Sequence, residues 1–240
     1  MKKSSIVKIP DFNDSRLFYG FFGKKYGNVS YEYGVKEAVD KNIDKILATI
    51  NIKRKDLYDM VQVHGNNISV VKESKHTYEQ TDGLVTNNSG RYLLLRSADC
   101  FPIILYAAEK KVLGLLHAGW KGATQHIIEK ALIKLNNVFN LRPNEIAALV
   151  GPGIHSCCYQ HKDLLQEKLP EWDEYISVKS DLKQLDLHGF LTESLKQAGV
   201  KQVYDLDVCT GCDQRFFSHY LAAKKGLQQN IFATIVGIKE

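Results

Sequence analysis

Three residues near the middle of the chain carry side chains suited to holding a metal ion: His64, Cys100 and His117. They stand in the strings QVHGNN, SADCFPIILY and GLLHAGWKG. Two imidazoles and one thiolate form a donor set that zinc accepts, and with only three protein ligands a fourth position stays open for water or substrate. An ion bound that way activates water near neutral pH and stabilises developing negative charge. The spacings of 36 and 17 residues fit no zinc-finger pattern, so only the tertiary fold can bring the three together. Read singly, each has another role open to it: His64 beside Gly65-Asn66 as a turn residue, Cys100 as a small buried hydrophobe. Cys100 and His117 can also be paired differently, as nucleophile and base of a metal-free cysteine hydrolase.

The neighbouring groups are read in the same two ways. Asp99 is either an acid/base group or a turn carboxylate. Arg96, Lys121 and Lys25 (in GKKYGNVS) are either anion contacts or solvated charges. The glycines of HAGWKG let backbone approach a ligand closely, and amides at the start of a helix can hold an anion. GPGIHSCCYQH at 151–161, with His155, Cys157, Cys158 and His161, is open to a second metal site but is read as a loop shaped by glycine and proline, with one cysteine packing inward. Cys209 and Cys212 form a single CxxC, CTGC, with no second pair, and read as structural. Trp120 and Tyr159 are either stacking surfaces or core.

The elements that must position these groups follow from apolar periodicity. VKEAVDKNIDKILATI (35–50) repeats at helical spacing. His64 falls at a strand end or hairpin tip between VQV and ISVV. Residues 91–117 read as three strands, RYLLLRS, PIILYAA and VLGLLHA. Their nearly continuous apolar runs imply burial on both faces. Cys100 then lies in the link between the first two strands and His117 at the end of the third. A helix is expected over roughly 120–137, opened by glycines rather than by a side-chain cap. Beyond it come a strand in EIAALVGPGI, helical stretches at 161–168 and 186–198, and strands at 201–208 and 230–237. Strands in both hairpin and crossover settings indicate an α/β or α+β layer fold with mixed sheets.

Composition narrows the class. The 240 residues suffice for one domain with a sizeable core, and 44% apolar with 25% charged is ordinary for a globular protein. The net charge of +5 is dispersed, so nucleic-acid binding is not signalled. No linker or repeat divides the chain, which is expected to be one domain over 1–240. MKKSSIVKIPDF lacks the apolar run of a secretory signal, and no stretch reaches the roughly 18 apolar residues of a membrane span. The expectation is a cytoplasmic protein, and five cysteines without a signal argue for reduced thiols.

Taken in order, FFGKKYGNVS, QVHGNN, TDGLVT, SADCFPIIL, LLHAGWKG, GPGIHSCCYQ and DVCT followed by RFFSHY resemble the YfiH-like, laccase-domain family (polyphenol oxidoreductase, DUF152) of purine nucleoside phosphorylase type. The match runs from about residue 20 to residue 220. The resemblance implies an α+β fold, a layered α/β/β/α sandwich similar to the catalytic domain of cytotoxic necrotizing factor. It implies zinc on His64, Cys100 and His117, with copper as the alternative from the older label. It also implies phosphorolysis of adenosine, inosine and related nucleosides, including guanosine and methylthioadenosine, together with adenosine deamination. The partners would be purine nucleosides and phosphate, with no nucleic acid or membrane, in a monomer or homodimer. On that reading Cys100, His117 and Asp99 are catalytic, Asp99 as a proton shuttle, and Lys25 and Arg96 are phosphate partners. The Cys-His pair of the toxin-like relatives leaves a hydrolase or amidase acting on a peptidoglycan-related substrate as the alternative. Copper phenol oxidation is the weaker alternative, because laccase chemistry needs several coppers on HxH pairs and this chain has none. Two departures stand out: Lys25 where the family has Arg, and FFSHYLAAKKG where it shows FFSYRR and a Gly-Arg pair.

Overall fold

A computed structural model describes Phe12 and residues 14–240; the expectations about the first residues lie outside the described part. Among the described residues fourteen strands and five α-helices follow one another. The strands are β1 (Leu17–Phe22), β2 (Leu57–Met60), β3 (Ile68–Val70), β4 (Thr77–Tyr78), β5 (Gly83–Thr86), β6 (Tyr92–Ser97), β7 (Phe101–Ala107), β8 (Val112–Ala118), β9 (Ala147–Val150), β10 (Gln160–His161), β11 (Ile176–Lys179), β12 (Leu182–Leu185), β13 (Gln202–Asp205) and β14 (Phe232–Ile238). The helices are α1 (Lys36–Ile50), α2 (Trp120–Thr124), α3 (Ile127–Phe139), α4 (Leu187–Gln197) and α5 (His219–Lys224).

Two mixed sheets carry the architecture, a five-stranded one in the order β1-β14-β6-β2-β4 and a six-stranded one in the order β13-β9-β7-β8-β5-β3. Alternation along the strands explains how they stack. In β7, Ile104 and Tyr106 enter a core shared with Leu93 and Leu95 of β6 and Val236 of β14, so the sheets face each other. Ile103 and Leu105 point the other way, onto Ile127 and Leu132 of α3 and Leu191 of α4. On the far side, Leu94 of β6 and Ile235 of β14 pack under Val39, Ile43 and Ile46 of α1. The result is helix, sheet, sheet, helix, as expected, and it explains why β7, β8 and β14 are buried along their whole length. Each fully buried Leu, Ile or Phe side chain contributes about 1.5–3 kcal/mol.

The structure departs from the sequence reading in four places. VQV and ISVV do not form a hairpin: VQV lies outside any strand, β2 just before it belongs to the five-stranded sheet and β3 to the six-stranded one, so His64 lies on a crossing between sheets. The helix expected over 120–137 is broken at His126, which adopts the left-handed conformation (φ 60°). Asn66 Nδ2 holds the carbonyl of Gln125 at 2.6 Å just past the end of α2, and α3 then starts afresh to lay its apolar face on the sheet. The strand expected in EIAALVGPGI stops at Val150. The stretch 161–168 holds the end of β10 and a single 3₁₀ turn at Leu165–Lys168 instead of a helix. Among the described residues no helix is long and apolar enough to cross a membrane.

Candidate metal centre

Three chain segments meet at one end of the sheet stack. His64 (φ 58°) sits on the β2–β3 crossing, Cys100 ends the Ala98–Cys100 link from β6 to β7, and His117 lies near the end of β8 opposite Pro102 of β7. Since β6 and β7 also belong to different sheets, two inter-sheet crossings converge on one strand end. One donor atom from each of His64, Cys100 and His117 lies within 4.8 Å of the other two, so the three can share one ion. The two imidazole centroids are 4.8 Å apart, with the rings edge to face at 72°.

Behind His117 lies the carboxylate of TDGLVT, a string whose Asp-Gly pair is an ordinary turn signal. Asp82, fully buried, takes His117 Nδ1 on Oδ1 at 2.9 Å. It also accepts the amides of Val63 (3.2 Å), His64 (2.9 Å) and Gly65 (2.8 Å). Burial pushes the Asp82 carboxyl up, but His117 and these amides outweigh it and hold it below the usual carboxylate value. One carboxylate thus fixes the His117 ring, leaves Nε2 as its donor nitrogen, and ties down the loop that carries His64. Gly119 completes the cradle: a Cβ there would stand 2.7 Å from Cys100 Sγ and 3.4 Å from His64 Cδ2. Burial also opposes charge on Cys100 and His117. Facing one another, with His64 and Asp82 beside them, they favour each other's charged form all the same, the Cys100 thiol brought down to about 6 and the His117 imidazole raised to about 9.

The donor set is the soft-plus-borderline mixture zinc accepts, it is oriented by a buried carboxylate, and it borders a cavity of about 890 Å³. That is room for a nucleoside-sized ligand. His161, Tyr159 and Tyr220 form an aromatic wall, with His161 4.7 Å from Tyr159 and 5.0 Å from Tyr220. His161 Nε2 is buried without a hydrogen-bond partner.

A family profile described as "Multi-copper polyphenol oxidoreductase laccase" matches residues 23–235. The chain belongs to this family. A curated relative from Rickettsia conorii, named a purine nucleoside phosphorylase, is 30% identical over 201 residues, 79% of this chain and 82% of its own. Another so named, from Clostridium acetobutylicum, is 27% identical over 221 residues, 90% of each chain. The solved structure of YlmD from Geobacillus stearothermophilus superposes with a TM-score of 0.85 at 24% identity, covering 97% of this chain and 94% of that one. The YfiH structure from Bacillus licheniformis gives 0.84 at 24% identity, covering 94% of both. These superpositions establish the laccase-domain fold, a mixed α+β fold.

The other candidate groups in this laccase-domain chain take different places. Asp99 (φ 86°) lines the cavity but is already engaged: Oδ1 accepts from Thr210 Oγ1 at 2.7 Å and Oδ2 from the Tyr220 amide at 2.6 Å. Burial raises its pKa, against the pull of those donors. The observed contacts of Asp99 therefore hold two wall segments together. Arg96 lines the cavity, pinned by an ion pair to Asp59 and by a 2.8 Å bond from Nε to the Val29 carbonyl. Lys25 is exposed and is not among the cavity-lining residues; neither is Lys121. Arg54 does line the cavity, paired with Asp40 and Asp44. Cys157 and Cys158, read as loop residues, are gathered with Cys209 and Cys212 into a second cluster, away from the cavity lining.

Proposed function

We propose that the protein is a zinc-dependent purine nucleoside phosphorylase that also deaminates adenosine. The observation that carries this reading is the meeting of His64, Cys100 and His117 beside a cavity of nucleoside size, with Asp82 fixing the His117 tautomer. The names of the relatives support the reaction class. When bound, the ion supplies Lewis-acid stabilisation and a lowered pKa for water.

The chain's own residues do the rest. Tyr159, His161 and Tyr220 line the cavity as an aromatic wall against which a planar base can pack. Of the two cations expected to meet phosphate, Arg96 is at the cavity and Lys25 is outside its lining, so Arg96 takes that role. There it attracts the anion and offsets charge as the glycosidic bond opens. Asp82 keeps the proton of His117 on Nδ1, and Asp99 keeps the wall in place through Thr210 and Tyr220.

The test is product identification by mass after incubation with inosine or adenosine, with and without phosphate. Hypoxanthine with ribose 1-phosphate from inosine, only when phosphate is present and lost together with one metal equivalent in Cys100→Ala, supports the reading. Free ribose without phosphate dependence, or no turnover by a fully metallated protein, refutes it. A second reading rests on Cys100 and His117 facing one another, each favouring the other's charged form, which is the arrangement a cysteine hydrolase needs. Stoichiometric iodoacetamide labelling of Cys100 in the protein as isolated would favour it, because a thiolate holding an ion is shielded from alkylation.

A further inference from the structure

Four of the five cysteines take no part in the centre described above, and the fold brings all four together. β9 and β13 run parallel and in register, Ala147 beside Gln202 through Val150 beside Asp205, so the chain leaves both strands at the same end of the sheet. The segment after β9 carries Cys157 and Cys158; the segment after β13 carries Cys209 and Cys212. The two segments are stitched to each other by the amide of Gly153 on the Val208 carbonyl (3.1 Å) and that of Thr210 on the Gly153 carbonyl (2.9 Å). A turn closed by the Cys212 amide on the Cys209 carbonyl (3.1 Å) doubles back the CTGC string, and one closed by the Cys158 amide on the His155 carbonyl (3.0 Å) does the same for the other pair.

The sulfurs then lie at contact distance: 3.4 Å for Cys158–Cys212, 3.6 Å for Cys157–Cys212, 3.7 Å for Cys157–Cys209 and 3.9 Å for Cys157–Cys158. All four donor atoms fall within 4.8 Å of one another. Four thiolates placed tetrahedrally at a Zn–S length of about 2.3 Å are about 3.8 Å apart along each edge. The observed spacings bracket that value. Gly211 clears the space for this approach, since a Cβ there would stand 2.7 Å from both Cys158 Cβ and Sγ.

We propose that Cys157, Cys158, Cys209 and Cys212 form a closed tetrathiolate site for one zinc ion, distinct from the His64–Cys100–His117 centre, that clamps the 151–161 loop to the 208–213 segment. A tetrahedral set of four sulfurs selects zinc or iron. A multi-iron cluster does not fit, because cysteine sulfurs bound to different irons are spread beyond the 4.8 Å within which all four lie here. With four protein ligands no position is open, so the ion is structural. What it clamps is the cavity wall. Tyr159 follows Cys158 directly, and Thr210, between the two cysteines of CTGC, carries the hydrogen bond to Asp99.

The test counts metal in the full-length protein expressed with zinc and purified under reducing conditions. Elemental analysis is run on the wild type, on Cys100→Ala/His117→Ala and on Cys209→Ser/Cys212→Ser, with zinc-edge absorption spectra of the first two. The expected result is one zinc in Cys100→Ala/His117→Ala, surrounded by four sulfurs near 2.3 Å, and loss of one equivalent from the wild-type value in Cys209→Ser/Cys212→Ser. Should that last variant fail to fold, the all-sulfur spectrum of Cys100→Ala/His117→Ala carries the result. Should Cys100→Ala/His117→Ala fail to fold, wild-type protein with two zincs and a sulfur-rich average shell carries it. The proposal is overturned if Cys100→Ala/His117→Ala is folded and metal-free, if its zinc has nitrogen or oxygen ligands, if it holds iron, or if peptide mapping finds disulfides among the four cysteines. The two centres fail separately: one mixed-donor zinc in the wild type removes this site, and one all-sulfur zinc removes the other.

Discussion

Replacing Asp82 with Asn changes one atom and one charge, and the structure dictates the consequence. Oδ2 of Asp82 accepts from the amides of Val63 and Gly65, and Oδ1 accepts from the amide of His64 and from His117 Nδ1. Asn offers one acceptor and one donor group. Its oxygen is best placed where it keeps two amides, on the Val63 and Gly65 side. The NH₂ then faces the His64 amide, which loses its acceptor, and His117 Nδ1, which must itself become an acceptor. That moves the imidazole proton to Nε2, the nitrogen required for the ion. An outer-shell change of this kind lowers metal affinity by about 10–100-fold, or about 1.4–2.8 kcal/mol. The unsatisfied His64 amide reduces folding stability by a further ~1–3 kcal/mol. Zinc competition against a chromophoric chelator reads the first quantity and urea unfolding of metal-free protein the second. A folded Asp82→Asn protein with wild-type zinc affinity would refute the idea that Asp82 sets the His117 tautomer.

Three further outcomes follow from particular contacts. Gly119→Ala places a methyl 2.7 Å from Cys100 Sγ, so its zinc affinity in the same competition assay should fall at least about tenfold; unchanged affinity would contradict the cradle. Trp172 is fully buried, stacked on Phe190 at 4.0 Å and bonded through Nε1 to Thr124 Oγ1 at 3.0 Å. Trp172→Ala should therefore lose about 3–5 kcal/mol in urea unfolding, and a loss below about 1 kcal/mol would contradict it. His188 faces Asp205 and stacks on His155 at 4.4 Å, with Asp186 and Asp207 contributing nearby charge. Burial lowers its pKa, but the pairing with Asp205 wins and the folded value lies above 6.5. The stabilisation is therefore complete below the unfolded value of about 6.5 and fades as pH rises through the folded value. His155 is shifted downward and has the opposite sign, so the readout is the difference between wild type and His188→Gln. Their melting temperatures should be furthest apart near pH 6 and converge toward pH 9; a constant gap would contradict the pairing.

The central strands and the three donor residues were legible from the residues themselves, whereas the four-layer order came from the family resemblance. β7 and β8 are packed between the five-stranded sheet on one face and helices on the other, so they have no polar face and read as continuous apolar runs. Cys100 and His117 stand where those runs end. What periodicity could not convey was the sheet to which each strand belongs. VQV and ISVV look like hairpin arms, yet the chain crosses between sheets there, and that crossing delivers His64 to Cys100. The break at His126 was hidden because a left-handed residue leaves the apolar spacing on either side intact. Asp82 was masked by Asp-Gly, a turn signal in its own right; a buried carboxylate supporting a ligating histidine can be inferred only once a partner is known. The cysteine cluster escaped because CTGC pairs with a vicinal Cys-Cys rather than with a second CxxC, and only the parallel register of β9 and β13 joins them.

Anomalous diffraction at the zinc edge from crystals of the protein as isolated tests the central claim most directly. The account predicts a peak between His64, Cys100 and His117, within bonding distance of all three side chains and open to the cavity. Well-ordered density for those side chains with no peak between them, in crystals of protein that still cleaves inosine in the presence of phosphate and a chelator, would contradict it.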